Sequence, residues 1–247
     1  MEQTIQDIVK WLRKTVEEAH VKGLVVGISG GIDSAVVAYL IKRAFPEQSL
    51  GVIMPIKSNP TDMEHAKMVI EDCGISGMTI DLTSSHQTMY GTIREAIQKK
   101  NEYNEMAERL ADANLRARLR MSTLYTVATN YNYLVVGTDN LSEWYTGYFT
   151  KYGDGGVDLL PIVDFTKKEI YQMAEALNIP RPILEKQPSA DLWEGQTDEE
   201  EMGTTYDKID AFIKGEEVSE SDRILIEKMH QRTEHKRQMA KQFKKNS

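Results

Sequence analysis

Residues 25–37 read VVGISGGIDSAVV and set the architecture. LVVGI (24–28) is short, continuously apolar and β-branched, the pattern of a strand buried on both faces of a parallel sheet. Beyond SGGIDS, the run AVVAYLIKRAF returns to helical spacing and stops at Pro46. The unit is therefore strand, glycine-rich turn, helix, with the turn at the carboxyl end of the strand. Open α/β sheets bind their ligands at that edge.

Working outward, Ile5, Ile8, Val9, Leu12 and Val16 predict an amphipathic helix over 2–22, with Gly23 as its stop. LGVIMPI (50–56) reads as a strand, and Thr61-Asp-Met-Glu64 as a capping box opening a helix that ends near Gly74. MTIDL (78–82) is a weaker strand, and 84–130 is helical in two segments divided near Asn101. YLVVGT (133–138) is the next buried strand, DLLPIVDF (158–165) is the candidate fifth, and Thr166-x-x-Glu169 caps the helix that follows. After Pro180 two further helices are expected, over 197–214 and 221–244. Strands alternating with helices predict an α/β fold, a doubly wound, Rossmann-like parallel sheet, in one unit spanning 1–247.

Composition narrows the function classes. No apolar run approaches the ~20 residues needed to cross a bilayer, and the first twenty residues, which mix acids with bases, do not read as a signal peptide. The expected location is the cytoplasm, with no membrane partner. A net charge of -8 argues against a nucleic-acid partner, whose recognition rests on a basic surface. The one cysteine, Cys73, offers no disulfide, zinc cluster or redox pair, and reads as a small residue on a packed helix face.

The loop itself carries chemistry. A helix N-terminus presents backbone N–H groups and partial positive charge, and Gly30 and Gly31 let a phosphate approach them, with Ser29 and Ser34 as added hydroxyl donors. A Walker A loop fails, because counting from Gly27 puts Ile32 and Asp33 where its second glycine and lysine belong. A carboxylate beside a polyphosphate is repulsive unless a cation lies between them. Asp33 therefore predicts Mg²⁺, which is typically held by one or two carboxylates plus substrate phosphates, and a second carboxylate nearby. Glu143, in GTDNLSEW just past a strand end, is the candidate.

Ser-Gly-Gly-Ile-Asp-Ser resembles the loop of enzymes that split ATP between its α and β phosphates, among them GMP, asparagine, argininosuccinate and NAD synthetases and the tRNA thiolases. GTDNLSEWYTGYFTKYGDGGVDLLPI (137–162), with NLRARLRM (114–121) and FTKKEI (165–170), is similar to the ammonia-dependent NAD synthetase family. The resemblance implies a sheet of the adenine nucleotide alpha hydrolase type. It also implies ATP-driven amidation of deamido-NAD to NAD through an acyl-adenylate, releasing AMP and pyrophosphate. ATP would contact Gly27, Ile28, Ser29, Gly30, Gly31, Ile32, Asp33, Ser34, Thr138, Lys167 and Ser189. Deamido-NAD would contact Arg118, Lys151, Asp158, His235 and Lys236. Asp33 and Glu143 would hold magnesium, and Asp33 and Lys167 would be catalytic.

The family is a homodimer whose dinucleotide site borrows from both subunits. Met106, Leu110, Leu115, Leu119 and Leu124 on the 102–130 helix could supply the interface, and equally form a core stripe. Glutamine-dependent members carry a glutaminase domain with a nucleophilic cysteine; Cys73 lacks a supporting motif, so free ammonia is the expected donor. A tRNA thiolase is disfavoured by the net charge and the missing cysteine pair, and a non-catalytic nucleotide-binding module by the retention of Asp33, Glu143, Lys151 and Lys167.

Overall fold

In the computed structural model, which describes residues 1–188 and 197–245, the opening motif lies at the centre of the sheet. Helix α1 (Glu2–Glu18) leads into β1 (Gly23–Gly27), α2 (Ile32–Ala44), β2 (Ser49–Ile53), α3 (Pro60–Cys73), β3 (Ser76–Thr79) and α4 (Thr83–Gln98). There follow α5 (Glu108–Tyr131), β4 (Tyr133–Val136), α6 (Leu141–Thr146), α7 (Lys167–Ala176) and α8 (Arg181–Leu184). The C-terminal part holds α9 (Asp198–Met202), α10 (Tyr206–Ile213), α11 (Glu220–Arg232) and a 3-10 turn, Glu234–Lys236.

Among the described residues the sheet has four parallel strands in the order β3-β2-β1-β4. Strand order reverses at β1, which pairs with β2 on one side and with β4 on the other, Gly23 opposite Tyr133 and Val26 opposite Val136. Because successive side chains point to opposite faces, Val26 packs with α1, α2 and α7, through Leu12, Leu40 and Ile170. Val25 packs on the other face with Val52, Val135 and Leu124 of α5. This is the doubly wound α/β sheet that the alternation predicts.

Several boundaries differ for physical reasons. Helix α1 ends at Glu18, and the left-handed residue is His20 at φ 54°, so Gly23 is no helix stop. Gly23 begins β1, where a Cβ would collide with the Gln48 carbonyl oxygen. The cap of α3 is Asn59, whose side chain accepts from the Thr61 N–H at 3.0 Å, with Pro60 in the first turn. The Thr61 capping box is thereby replaced, whereas Gly74 closes α3 in the left-handed region as expected.

The candidate fifth strand is reduced to one bridge, Val136 to Leu159. The Asp158 carboxylate takes the Val135 N–H at 2.8 Å, and Pro161 has no N–H with which to continue a ladder. Residues 197–214 divide at Gly203, φ 74°, and Thr205 recaps the chain as α10. Residues 221–244 form α11 only as far as Arg232, since Lys236 and Arg237 turn back to the C-terminal carbonyls of α6: Lys236 to Gly147, Arg237 to Trp144 and Tyr145. Among the described residues no helix is long and apolar enough to cross a membrane.

Candidate active site

The glycine loop is braced from within. Ser34, buried at the start of α2, donates from Oγ to the Gly31 carbonyl at 3.0 Å and accepts the Ser29 N–H at 3.2 Å. Its hydroxyl thus holds the loop's shape, while Ser29 is the exposed serine. Gly30 adopts φ 82°, and a Cβ there would lie 2.5 Å from the Asp62 carbonyl oxygen. Both the left-handed backbone and the close approach require glycine.

Asp33 sits in the first turn of α2, beyond β1, and Glu143 in the first turn of α6, beyond β4. These strands are neighbours across the strand-order reversal, so the fold brings together two acids remote in sequence. Asn140 caps α6: its Oδ1 accepts the Glu143 N–H at 3.0 Å, and its own N–H donates to Glu143 Oε2 at 3.2 Å. The same side chain donates from Nδ2 to Asp33 Oδ1 at 3.0 Å. Lys167, at the start of α7, closes the arrangement, with Nζ 2.5 Å from Asp33 Oδ2 and 3.5 Å from Glu143 Oε1.

Lys167 is only 3% exposed, so water contributes little to balancing these charges. Burial pushes the Glu143 carboxyl up to about 8, reinforced by Asp33 and opposed by Lys167. Burial alone would lower Lys167, yet Asp33 and Glu143 more than offset it and hold its pKa above the usual lysine range. Asp139 is also buried, with Oδ2 lacking a hydrogen-bond partner among the described residues. Burial and the nearby Asp154 hold it well above the ordinary carboxylate range.

These groups face a cavity of 790 Å³. Gly27, Ile28, Ser29, Gly31, Ile32, Asp33 and Ser34 line it with Thr138, Glu143 and Lys167, while Gly30 supports the turn from behind. The donor set suits a divalent cation: two carboxylates converge on the Lys167 ammonium, which stands where a shared cation would be held.

Of the five expected dinucleotide contacts, Lys236 lines the cavity, with Nζ donating to the Gly147 and Phe149 carbonyls at 2.8 and 2.6 Å. Arg118, Lys151, Asp158 and His235 do not line it. Arg118 donates to the Lys151 carbonyl at 3.3 Å, and Lys151 Nζ donates to the carbonyls of His235 and Gln238. Asp158 accepts from the Tyr125 hydroxyl at 3.0 Å as well as from β4. Ser189 lies outside the described residues.

A family model described as NAD synthase matches residues 4–240. The chain belongs to the NAD synthase family. The NH(3)-dependent NAD(+) synthetase of Alkaliphilus oremlandii is 57% identical over 239 residues, covering 97% of this chain and 96% of that one. Among solved structures, an NMN synthetase from Francisella tularensis aligns with TM-score 0.89 at 38% identity, covering 98% of this chain and 97% of its own. An NH3-dependent NAD synthetase from Campylobacter jejuni aligns with TM-score 0.78 at 28% identity, covering 98% and 99%.

Within this NAD synthase fold, sequence reasoning misses four residues. Asn140 was accessible in principle, because Asn-Leu-Ser-Glu at 140–143 is a capping pattern ahead of a short helix. Asp139 stands beside Thr138 but carries no spacing signal. Tyr206 of α10 reaches Glu143, and Asp198 of α9 accepts from the hydroxyl of that tyrosine, a proximity that arises only in the fold.

Proposed function

We propose that this chain amidates deamido-NAD with ammonia, driven by cleavage of ATP to AMP and pyrophosphate, in the manner of the NH3-dependent NAD synthetases it resembles. The observation that carries the reading is the pairing of Asp33 and Glu143 across the strand-order reversal, with Lys167 between them, in the wall of one large cavity.

A carboxylate is a poor electrophile, so amide formation needs an activated acyl group. The nicotinate carboxylate attacks the α phosphorus of ATP, forming an acyl-adenylate as pyrophosphate leaves. Ammonia then adds to the acyl carbon, AMP departs with the C–O electron pair, and the nitrogen loses one proton to solvent. No protein nucleophile is required. The chain's work is positioning and charge neutralisation. The SGGIDS turn and the N-terminus of α2 receive the phosphates, and Lys167 stabilises charge on the departing pyrophosphate. Thr138, at the tip of β4, contacts the nucleotide. Asp33 and Glu143 would hold Mg²⁺, which when bound neutralises the polyphosphate.

The reading extends to a homodimer. Met89, Ile93 and Ile97 recur on one exposed face of α4, and Met106, in the turn before α5, and Leu110, in its first turn, are exposed. This supports burial against a second copy. A dinucleotide site shared between copies accounts for Arg118, Lys151 and His235 lying off the cavity of one chain. The proposal treats residues 1–247 as one synthetase unit acting in the cytoplasm.

The test is purified protein with ATP, MgCl₂, ammonium and deamido-NAD, scored for NAD, AMP and pyrophosphate, with nicotinate mononucleotide offered in parallel. NAD and pyrophosphate in equal amounts, lost in Asp33→Asn, are expected, and glutamine does not replace ammonium. Orthophosphate as product, dependence on tRNA, nucleotide bound but never cleaved, or turnover of the mononucleotide alone would overturn the reading.

A further inference from the structure

Glu143 Oε2 is engaged by the cap of its own helix, which leaves Oε1 to face the cavity. Among the described residues, Oε1 has the Lys167 ammonium at 3.5 Å and the Tyr206 hydroxyl at 3.2 Å as partners. They differ in kind. An ammonium competes with a metal for a carboxylate oxygen, whereas a neutral hydroxyl orients that oxygen without opposing the metal's charge. Groups that orient metal ligands in this way typically affect metal affinity by about 10- to 100-fold.

Tyr206 is built to hold that orientation. It is 5% exposed and packs with Met202, Ile209 and Ile226, and its ring lies under the Lys167 ammonium, 4.8 Å from Nζ to the centroid. Helix α9 grips it at both ends. Its N–H donates to Glu199 Oε1 at 2.8 Å, and its hydroxyl lies 2.9 Å from Asp198 Oδ2. Asp198, 4% exposed, also has the Tyr148 hydroxyl 3.2 Å from Oδ1, a hydroxyl that lies closer, at 2.7 Å, to Glu201 Oε2.

We propose that Tyr206 is a positioning residue for the Glu143 carboxylate, giving its single hydroxyl proton to Oε1 when the acid is ionised on the metal, and that Asp198 Oδ2 is the alternative acceptor for that proton. Helix α9 and the start of α10 thereby belong to the support of the metal-binding acid. The inference rests on the synthetase reading only in taking Glu143 as a metal ligand.

Mn²⁺ is the probe, with its dissociation constant read by electron paramagnetic resonance in the presence of a non-cleavable α,β-methylene ATP analogue. Tyr206→Phe keeps the ring and its place under Lys167 while removing the hydroxyl, and is expected to weaken Mn²⁺ binding about tenfold. Turnover returns toward the parent value as Mn²⁺ is raised. Asp198→Ala changes Mn²⁺ affinity less in the Tyr206→Phe background than in the parent protein, because the hydroxyl that both carboxylates share is then missing.

Thermal melting establishes that each variant folds. If Tyr206→Phe does not, Asp198→Ala in the parent remains the test, and unchanged Mn²⁺ affinity there counts against the proposal. Mn²⁺ affinity within twofold of the parent in Tyr206→Phe, while Glu143→Gln loses the metal, overturns the positioning role and leaves the synthetase reading intact. If Glu143→Gln also keeps the metal, the assignment of Glu143 fails and this inference with it. An Asp198→Ala effect that persists undiminished in the Tyr206→Phe background overturns the coupling of the two acids through the shared hydroxyl.

Discussion

The Glu143 carboxyl, pushed up to about 8 from an ordinary 4.5, gives the metal-free protein a defined pH response. Asp33 and Asp198 face it as acids, Lys167 as a cation and the Asn140 N–H as a donor. Between those two values the folded chain holds a proton at Glu143 that the unfolded chain has released, so stability falls as pH rises through this window. Melting in EDTA from pH 5 to 8.5 is expected to show this fall in the parent and a shallower one in Glu143→Gln. Lys167→Ala should lower turnover by about 10²- to 10³-fold, the typical effect of removing one group that stabilises developing negative charge. Turnover near the parent value would exclude that role. Asp33, the glycines and Lys167 were legible in the sequence, because each sits in a motif or matches a family segment. Tyr206 was not, since a tyrosine opening an amphipathic helix has the same local pattern whether it fills a core or orients a carboxylate.

Short elements and their caps do much of the aiming. Helix α6 has six residues and little stability of its own, so its single capping side chain matters twice: Asn140 closes the first turn and reaches across to Asp33. Asn140→Ala is expected to destabilise the protein by ~1 kcal/mol from the lost cap, and to lower activity by more than that loss explains. Denaturant melts paired with initial rates separate the two. The opposite end of α6 is held by the C-terminal turn, where Lys236 and Arg237 donate to its last carbonyls and Thr233 packs on Gly147. That grip explains why apolar spacing overshoots α11. Periodicity reports which face of a segment is apolar, and it is silent on a basic pair recruited by another helix's terminus. The fifth strand fails for a related reason, since DLLPIVDF has strand composition while Asp158 and Pro161 withdraw the groups a ladder needs.

For the whole molecule, alternation of buried strands with helices was enough to predict the doubly wound sheet, because parallel strands covered on both faces leave few arrangements. It is silent on whether copies associate. Exposed Ile93 and Ile97 lie on the same face of α4, so Ile93→Glu with Ile97→Glu should shift sedimentation toward the single-chain mass and reduce activity. An unchanged sedimentation coefficient would count against a dimer built on this face.

Because β1 pairs with β2 nearby in the chain but with β4 only after Tyr133, one edge of β1 waits for half the protein to be made or refolded. Until then Leu24, Val25 and Val26, all fully buried in the native sheet, stand beside unpaired backbone groups, a template for joining other chains. Contacts so distant in sequence form slowly relative to helices. Refolding followed at once by circular dichroism and by enzymatic rate should therefore show helix signal well ahead of activity. Slowing that last pairing should lose protein to aggregation rather than to a stable inactive form.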